Sequence, residues 1–225
     1  MWGDEMKREK YLTILLIICM LSYFMMLNLS MTAVAEDLSN YHTKNDVNKR
    51  DALIYDLRSS YLEEKELIEY TKNLTGLEIT DCEFIVNECK DKNLDPFIVL
   101  GVIKRESNFN PKAQGAAGER GLGQLMENTA RPVAENLGYI YDPEKLYDTR
   151  YNLKLTITQI SYLLNSYNND IHMALTAYNR GQQGLIEYMK NSENSKSAVS
   201  DYSLGVLKFA REYKENFRKN TEVNS

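Results

Sequence analysis

A long uncharged run at the N-terminus constrains this chain more than any other feature. Residues 11–35 contain no charged side chain, and 14 of the 16 residues between Leu12 and Leu27 are apolar. Core helices of soluble domains rarely stay uncharged over such a length, whereas a bilayer requires about 20 apolar residues. The run therefore predicts a membrane-spanning helix or a signal sequence, with membrane contact through residues 11–29.

The charges that flank this run predict its direction. Lys7, Arg8 and Lys10 precede it, and acidic residues follow it directly. Because cytoplasmic flanks are enriched in basic residues, we expect everything after residue 35 to be extracytoplasmic. Residues 33–35 also read Ala-Val-Ala, the small-x-small form of a signal-peptidase site. Two outcomes stay open: a single-pass cell-membrane protein with an extracytoplasmic C-terminal domain, or a protein secreted after cleavage behind Ala35.

Composition excludes several classes of function. The chain has 27 Lys and Arg against 32 Asp and Glu, a formal charge of −5, so no chain-wide cationic field favours nucleic acid as a partner. Three cysteines and two histidines offer few of the ligands that zinc prefers. Cys82 and Cys89 lie seven residues apart on one predicted helix, about 10 Å along its axis, and are expected to be buried, unbridged thiols. We therefore expect neither metal nor cofactor.

The rest of the chain divides into a stalk and a helical domain. The stalk carries an imperfect apolar stripe that Glu64 and Thr71 interrupt, which favours a solvated single helix over a coiled coil. No later stretch shows sustained period-two alternation, so the domain is predicted to be nearly all α. The predicted parts are a cytoplasmic tip with the anchor or signal (1–35), the stalk (36–78), the domain (79–217) and a tail (218–225).

Local signals place the helices of the domain. Thr80 and Glu83 have the spacing of a capping box, which predicts the first helix start. Asp95 and Pro96 predict the N-cap and first residue of a helix that is apolar nearly all round and must be buried. After a glycine-rich loop over 114–123, further helices are predicted near 129–137, 151–167, 171–178 and 203–217.

One carboxylate stands out on that buried helix. Glu106 lies on its apolar face, since the residues seven, four and three positions earlier are Val99, Val102 and Ile103. Burial and the negative end of the helix dipole both favour the protonated acid, so a raised pKa is predicted for Glu106. Such a group suits a general acid that protonates a departing sugar oxygen. The alternative is a helix-end glutamate that pairs with a neighbouring Lys104 or Arg105 in solvent.

Four segments resemble, in order and spacing, the motifs of a known family. Residues 106–111 have the form Glu-Ser-x-Phe-x-Pro, residues 115–126 resemble a loop ending in Gly-Leu-Met-Gln-Leu-Met, and residues 177–181 read Ala-Tyr-Asn-x-Gly. Tyr202 followed by Val206 is similar to a weaker fourth motif, Tyr-Val-x-x-Val. The chain thus resembles the soluble lytic transglycosylases, goose-lysozyme-like enzymes of glycoside hydrolase family 23, over about residues 80–215.

The resemblance implies a lysozyme-like helical domain that cleaves peptidoglycan glycan strands. In that family one glutamate, here Glu106, first protonates the bond between N-acetylmuramic acid and N-acetylglucosamine. It then acts as base while the muramic C6 hydroxyl attacks C1, which gives a 1,6-anhydro end without a second carboxylate. The substrate-binding residues implied around it are Ser107, Gln124, Met126, Tyr178, Asn179 and Tyr202.

The individual roles of these residues have simpler alternatives. Ser107 fits either an acetamido contact or a cap on its own helix turn, and Gln124 either an N-acetyl contact or a hydrogen bond that closes its loop. Tyr178 and Asn179, expected just after a helix, fit sugar contact as well as core packing and helix capping. The resemblance favours the functional role for the last pair.

The sequence departs from the family pattern at three positions. Gly123 stands where the family usually has Met, Glu127 where it usually has Pro, and Thr156 where it usually has Gly. The missing side chain at Gly123 is expected to open the substrate groove beside Gln124.

Two other functions stay open beside the transglycosylase. A muramidase would hydrolyse the same bond with water, for which Glu119 is a weak candidate base. A non-catalytic peptidoglycan-binding scaffold would use the stalk to recruit an envelope-spanning machine. An anchored wall-cleaving domain also suggests local clearance of the wall for a secretion or conjugation apparatus, a hypothesis from architecture alone.

Overall fold

The computed structural model describes residues 15–31, 44–191 and 197–224, and these ranges form helices and loops without a strand. Isolated bridges join Arg120 to Gln114 and to Leu125 within one loop. The prediction of a mainly α chain is confirmed. Two compact units are present, Met1–Tyr61 and Leu62–Ser225.

The first unit contains the described part of the uncharged run, helix α1, over residues 15–31. Among the residues described, no helix is long and apolar enough to cross a membrane. The predicted spanning or signal helix therefore finds no support here, and its remaining residues, 11–14 and 32–35, lie outside the described part, as does the Ala33–Ala35 cleavage motif.

Helix α2 (Lys44–Thr75) covers most of the predicted stalk. Its apolar residues Leu53, Leu57 and Tyr61 are exposed, as a solvated helix would have them. From Leu62 onward the helix belongs to the second unit, where Ile68 is buried and the Thr71 side chain donates to its own helix at Leu67 O. The compact unit thus begins inside the predicted stalk, because the last turns of α2 supply part of the core.

Six more α-helices and one 3₁₀-helix complete the described part of the second unit. They are α3 (Ile79–Asp91), α4 (Pro96–Ser107), α5 (Glu127–Asn136), the 3₁₀-helix (Pro143–Tyr147), α6 (Thr149–Ser166), α7 (Ile171–Asn191) and α8 (Asp201–Asn224). The backbone of α7 is kinked at Gly181, where φ is 73°. The first helical segment of α7 ends at this kink, close to the predicted end near residue 178, and a second segment continues to Asn191. Helix α8 includes residues that were predicted as a tail.

The start of α3 differs from its prediction. Glu78 occupies the N-cap and makes no side-chain capping bond, while its carbonyl accepts from the backbone of Asp81 and Cys82. Thr80 lies inside the first turn, and its carbonyl accepts a bond from Arg150 Nη2 at 2.7 Å. The capping-box prediction is therefore wrong, because the extended backbone of Glu78 begins the helix two residues earlier.

Helix α4 is the centre of the unit, as its composition predicts. Asp95 caps it by accepting from Phe97 N at 2.9 Å, and Pro96 is its first residue. Its main packing partner is α8, which buries Val206, Ala210, Tyr213 and Phe217 along one face. A Cβ atom on Gly101 would lie 2.7 Å from Val206 O, so the two backbones approach at a distance that only glycine allows.

The two cysteines of α3 behave as predicted. Cys82 and Cys89 are fully buried and unbridged. Burial raises the pKa of both thiols, so they pack as small apolar side chains.

Candidate active site

Glu106 lies in the last turn of α4, on the face whose neighbours Val99, Val102 and Ile103 are fully buried. Burial raises its pKa from 4.5 to about 7. The hydrogen bond from Tyr202 and the charge of Arg105 act in the opposite direction, and the charge of Glu119 adds slightly to the rise. Desolvation outweighs the two opposing influences, so Glu106 holds a proton near neutral pH, as its position on the helix predicts.

Tyr202 is the hydrogen-bond partner of this carboxyl. Its Oη donates to Glu106 Oε1 at 2.5 Å, from the first turn of α8. The ring is 7% exposed, and burial followed by the charge of Glu106 raises the pKa of the phenol well above 10. Tyr202 therefore keeps its own proton, and its hydroxyl donates to the carboxyl and orients it.

Tyr178 donates, through its hydroxyl, to the loop beside Glu106 rather than to Glu106 itself. It lies within α7, not after a helix as predicted, and its Oη donates to Gly123 O at 2.8 Å. Burial raises the pKa of Tyr178 far above its usual range, and the nearby charge of Glu106 adds to that rise. The ring thus ties α7 to the glycine-rich loop beside the acid.

The expected opening of the groove at Gly123 does not occur. Gly123 is buried, and a Cβ atom there would overlap Thr156 Oγ1 and lie 2.8 Å from Tyr178 Oη. The side chain of Thr156 fills the space that a residue larger than glycine would need. The departures from the family pattern at Gly123 and Thr156 therefore compensate each other. The loop loses side-chain volume at Gly123, and α6 gains it at Thr156.

Asn152 of α6 binds the backbone of this loop through its side-chain amide. The sequence prediction did not include this residue. Its Nδ2 donates to Arg120 O at 3.0 Å and Leu146 O at 2.9 Å. Its Oδ1 accepts from Gly123 N at 2.9 Å and Thr156 Oγ1 at 3.2 Å. All four hydrogen-bonding positions of this buried amide are filled, so it fixes the loop backbone. The sequence signal that could have identified Asn152 is a polar residue at a core position of a long helix.

Gln124 and Ser107 use their donors on the protein itself. Gln124 has a left-handed backbone with φ of 46°, and its Nε2 donates to Ala113 O at 3.1 Å and Gly121 O at 2.9 Å. Only its Oε1 stays available to a ligand. Ser107 is buried and its Oγ donates to Ile103 O at 3.2 Å, which is the helix-capping alternative.

A cleft of about 780 Å³ begins at Glu106 and runs between α5, α6 and α7. Five predicted site residues line it, namely Glu106, Gln124, Met126, Tyr178 and Asn179. The sequence prediction missed its α6 wall of Thr158, Gln159 and Tyr162, three positions that share one helix face. Glu119, the candidate base, also lines the cleft, and its Oε2 accepts from Ala117 N at 3.0 Å.

A smaller pocket of about 340 Å³ adjoins the cleft and also contains Glu106. Tyr202, the remaining predicted site residue apart from Ser107, lies there. Glu106 therefore lies where the two spaces meet. Over the described ranges, no group of three or more His, Cys, Asp or Glu side chains is placed to hold a metal ion.

Comparison with known proteins finds matches to the helical region that contains Glu106. A family model described as "Transglycosylase SLT domain" matches residues 83–200. The chain is 26% identical over 112 residues to the soluble lytic murein transglycosylase of Escherichia coli K12, covering 48% of this chain and 17% of that protein. It is 30% identical over 115 residues to the membrane-bound lytic murein transglycosylase C of Photorhabdus laumondii, covering 47% of this chain and 32% of that one.

A solved structure shares the fold. An inactive mutant of lytic transglycosylase Slt from Pseudomonas aeruginosa superposes with a TM-score of 0.53 at 22% identity, covering 60% of this chain and 24% of that chain. The chain spans about a fifth of the length of the soluble murein transglycosylases that it matches.

Proposed function

The chain belongs to the transglycosylase SLT domain family, and from that premise we propose that it cleaves peptidoglycan as a lytic transglycosylase. Its substrate is the β-1,4 bond between N-acetylmuramic acid and N-acetylglucosamine, and its product carries a 1,6-anhydromuramic end. The observation that carries this proposal is the raised pKa of Glu106, about 7, at the junction of a long cleft and a second pocket. The murein named in its relatives is the substrate that we extend to this chain.

Glu106 acts first as the acid. Its proton passes to the glycosidic oxygen as the bond from that oxygen to C1 of the muramic residue breaks, which neutralises the leaving group. The Tyr202 hydrogen bond then stabilises the carboxylate that forms, since a phenol donates more strongly to an anion than to a neutral acid.

Glu106 acts second as the base. The C6 hydroxyl of the same muramic residue attacks C1, and its proton returns to the Glu106 carboxylate. The acid is thereby regenerated, one bond to C1 replaces another, and no water is consumed. Oxygen attack from within the substrate removes the need for a second carboxylate, which two-carboxylate glycosidases require.

A hydrolytic outcome has one observation in its favour. Glu119 lines the same cleft, and its charge acts on Glu106. A carboxylate there could activate water in place of the C6 hydroxyl. Its Oε2 already accepts the Ala117 backbone, so we favour the intramolecular route.

Mass spectrometry of released muropeptides tests the proposal. Purified peptidoglycan is digested with the full chain, with Glu106→Gln and with Glu119→Gln. We expect 1,6-anhydro products from the wild type and from Glu119→Gln, and none from Glu106→Gln. Reducing ends that vanish in Glu119→Gln would establish the muramidase instead. Wall binding without release by the wild type would favour a non-catalytic scaffold.

We also propose that this activity lies outside the cytoplasm, where peptidoglycan is found. A secretion or conjugation apparatus is the hypothesised partner of the α2 segment. Fractionation of cells that express the full chain tests the first statement, and its appearance in the cytoplasmic fraction alone would contradict it. Pull-down with residues 44–61 deleted tests the second, and unchanged partners would contradict it.

A further inference from the structure

The smaller pocket beside Glu106 carries two arginines that the mechanism above does not use. It is lined by Arg105, Glu106, Asn179, Arg180, Tyr188, Asp201 and Tyr202. Glu106, Asn179 and Arg180 also line the long cleft. A glycan lying along the cleft and past the acid would therefore bring part of itself into this pocket.

The two guanidinium groups lie beside different neighbours, and that of Arg180 stacks on a ring. Arg180 Cζ lies 4.7 Å from the ring centroid of Tyr188, and the Tyr188 hydroxyl donates to Val199 O at 2.8 Å, which fixes that ring. Arg105 lies against Gly205 of α8, where a built Cβ would be 3.8 Å from its Cζ and Nη1. Stacking on a ring leaves the N–H edges of the Arg180 guanidinium free to bind an anion, and the exposed Arg105 side chain also keeps its N–H groups accessible.

These N–H edges have no anionic partner in the part of the chain that the structure describes. Arg131 and Arg150 form ion pairs with acidic residues there, whereas neither Arg105 nor Arg180 does. Asp201 faces the same pocket without an ion pair to either arginine. With Glu106 protonated, two guanidinium charges face one carboxylate, so the pocket is cationic.

The substrate proposed above has a carboxylate on one of its two sugars only. Muramic acid carries a lactyl ether, which ends either in a free carboxylate or in a peptide with carboxylates of its own, and N-acetylglucosamine carries neither. Resting on the proposed function, we propose that Arg105 and Arg180 bind a carboxylate borne by the muramyl residue. The pair would thereby place that sugar, rather than N-acetylglucosamine, at a defined position next to Glu106.

The two arginines lie outside the fixed positions of the motifs. Arg105 immediately precedes the glutamate of the first motif, and Arg180 occupies the open position of Ala-Tyr-Asn-x-Gly. The motifs themselves require neither arginine. A bound carboxylate would also offset the charge of Arg105, which lowers the pKa of Glu106, and would thus favour the protonated acid.

Binding to three glycans tests the proposal without turnover. The full chain with Glu106→Gln is titrated with peptide-bearing glycan strands, with the same strands after removal of their peptides, and with chitin oligomers, which have no carboxylate. We expect at least one muramyl glycan to bind about tenfold more tightly than chitin, as for hydrogen bonds to a charged group. Added Arg105→Gln or Arg180→Gln should remove this preference, and the Lys variants should keep part of it.

The pattern among the glycans identifies the source of the carboxylate. Preference for the peptide-bearing strands alone assigns it to the peptide, and preference for the stripped strands alone assigns it to the lactyl group. Preference for both means that either carboxylate is accepted. Arg211→Gln, at an exposed arginine farther along α8, is the matched control and should leave the preference intact.

Three results would overturn the proposal: no preference for muramyl glycans, a preference that survives both Gln variants, or an equal loss of binding to all three glycans. Cleavage by the wild type is measured on the same strands. Its absence would count against the proposed function alone, because the titrations report on the pocket whether or not a bond is cut.

Discussion

Two glutamates on neighbouring helices differ in the groups that surround them: Glu88 on α3 is buried, and Glu106 on α4 is half-buried. Glu88 on α3 accepts from Lys154 Nζ at 2.7 Å and lies 3.3 Å from Lys92 Nζ. Glu106 on α4 accepts from the neutral phenol of Tyr202 and forms no ion pair in the described part of the chain. Two ammonium groups pair with the first carboxylate, while the second has a hydrogen bond and, near it, the charge of Arg105, which is unpaired within the described residues.

The comparison teaches that the groups around a carboxyl shielded from water decide what that carboxyl can do. Glu88 joins α3 to α6 through its ion pair with Lys154, and an adjacent cation compensates a carboxylate for lost hydration. A phenol compensates only in part, so desolvation raises the pKa of Glu106 to about 7. The same side chain forms ion pairs at one site and has a raised pKa at the other.

The largest expected effect separates the two glutamates by activity. Glu106→Gln should lower wall cleavage by about a thousandfold, since general acid catalysis contributes about 10² to 10⁴ in rate. Glu88→Gln should keep at least about half of the wild-type rate, because its ion pairs lie away from the cleft. Both are measured as release of soluble muropeptides per mole of folded protein. Similar losses in the two variants would remove the distinction.

The free energy of unfolding should separate the two glutamates in the opposite sense, with the larger loss of stability in the Glu88 variant. Glu88→Gln leaves Lys154 and Lys92 without their anion and should lower the free energy of unfolding by about 2 kcal/mol, less than for a fully buried pair because both ammonium groups reach solvent. Urea denaturation at pH 8 measures it. The double variant Glu88→Gln with Lys154→Met serves as the control and should recover part of the loss. An unchanged midpoint in Glu88→Gln would show that the ion pair contributes nothing.

The pH dependence follows from the raised pKa of Glu106. Since the acid must be protonated, kcat/KM should fall about tenfold per pH unit above pH 7. The folded pKa lies above the ordinary value of 4.5, so the stability that Glu106 contributes is complete below pH 4.5 and is lost as pH rises through 7. Glu106→Gln should therefore gain stability relative to the wild type between these values. Initial rates and urea midpoints from about pH 4 to 9 check both slopes, and a flat rate profile would contradict the assignment.

The smallest expected effect concerns the partner of the acid. The Tyr202 hydrogen bond lowers the pKa of Glu106, so Tyr202→Phe should move the alkaline limb of the rate profile to higher pH and reduce the maximal rate about tenfold. Tyr213→Phe, at a buried tyrosine of the same helix, should leave the limb in place. A limb that stays put or moves to lower pH in Tyr202→Phe would mean that the hydrogen bond does not favour the ionised form.

Much of the helical domain was predictable because its helices carry strong local signals. Asp95 and Pro96 mark the start of α4, and the apolar residues on nearly all sides of this helix require its burial. The start of α3 was not predictable from the capping box, because the backbone of Glu78 takes the N-cap without a side-chain bond. The extent of α2 within the compact unit depends on packing with distant residues, which a local pattern does not contain.

The candidate active site also combines features that local sequence patterns predict with features that depend on tertiary contacts. Glu106 was identifiable from helix periodicity, and the motifs pointed to five of the residues that line the cleft. Asn152 was missed, since its hydrogen bonds reach residues up to 32 positions away in the chain. Arg105 was named only as a possible ion-pair partner of Glu106, and Arg180 fell on the open position of a motif. The missing side chain at Gly123 was misread as an opening, because Thr156, 33 positions later in the sequence, fills the space.

The sequence by itself determined that this chain forms a helical domain with an acid on its most apolar helix. Residue spacing along one helix is a local property, and it alone brings Glu106 onto the face of Val99, Val102 and Ile103. Only the tertiary structure decided that Tyr202 is the partner of that acid and that two arginines face the adjoining pocket. These contacts join residues that are up to 96 positions apart, and their energies depend on distance and desolvation in the folded chain rather than on order along it.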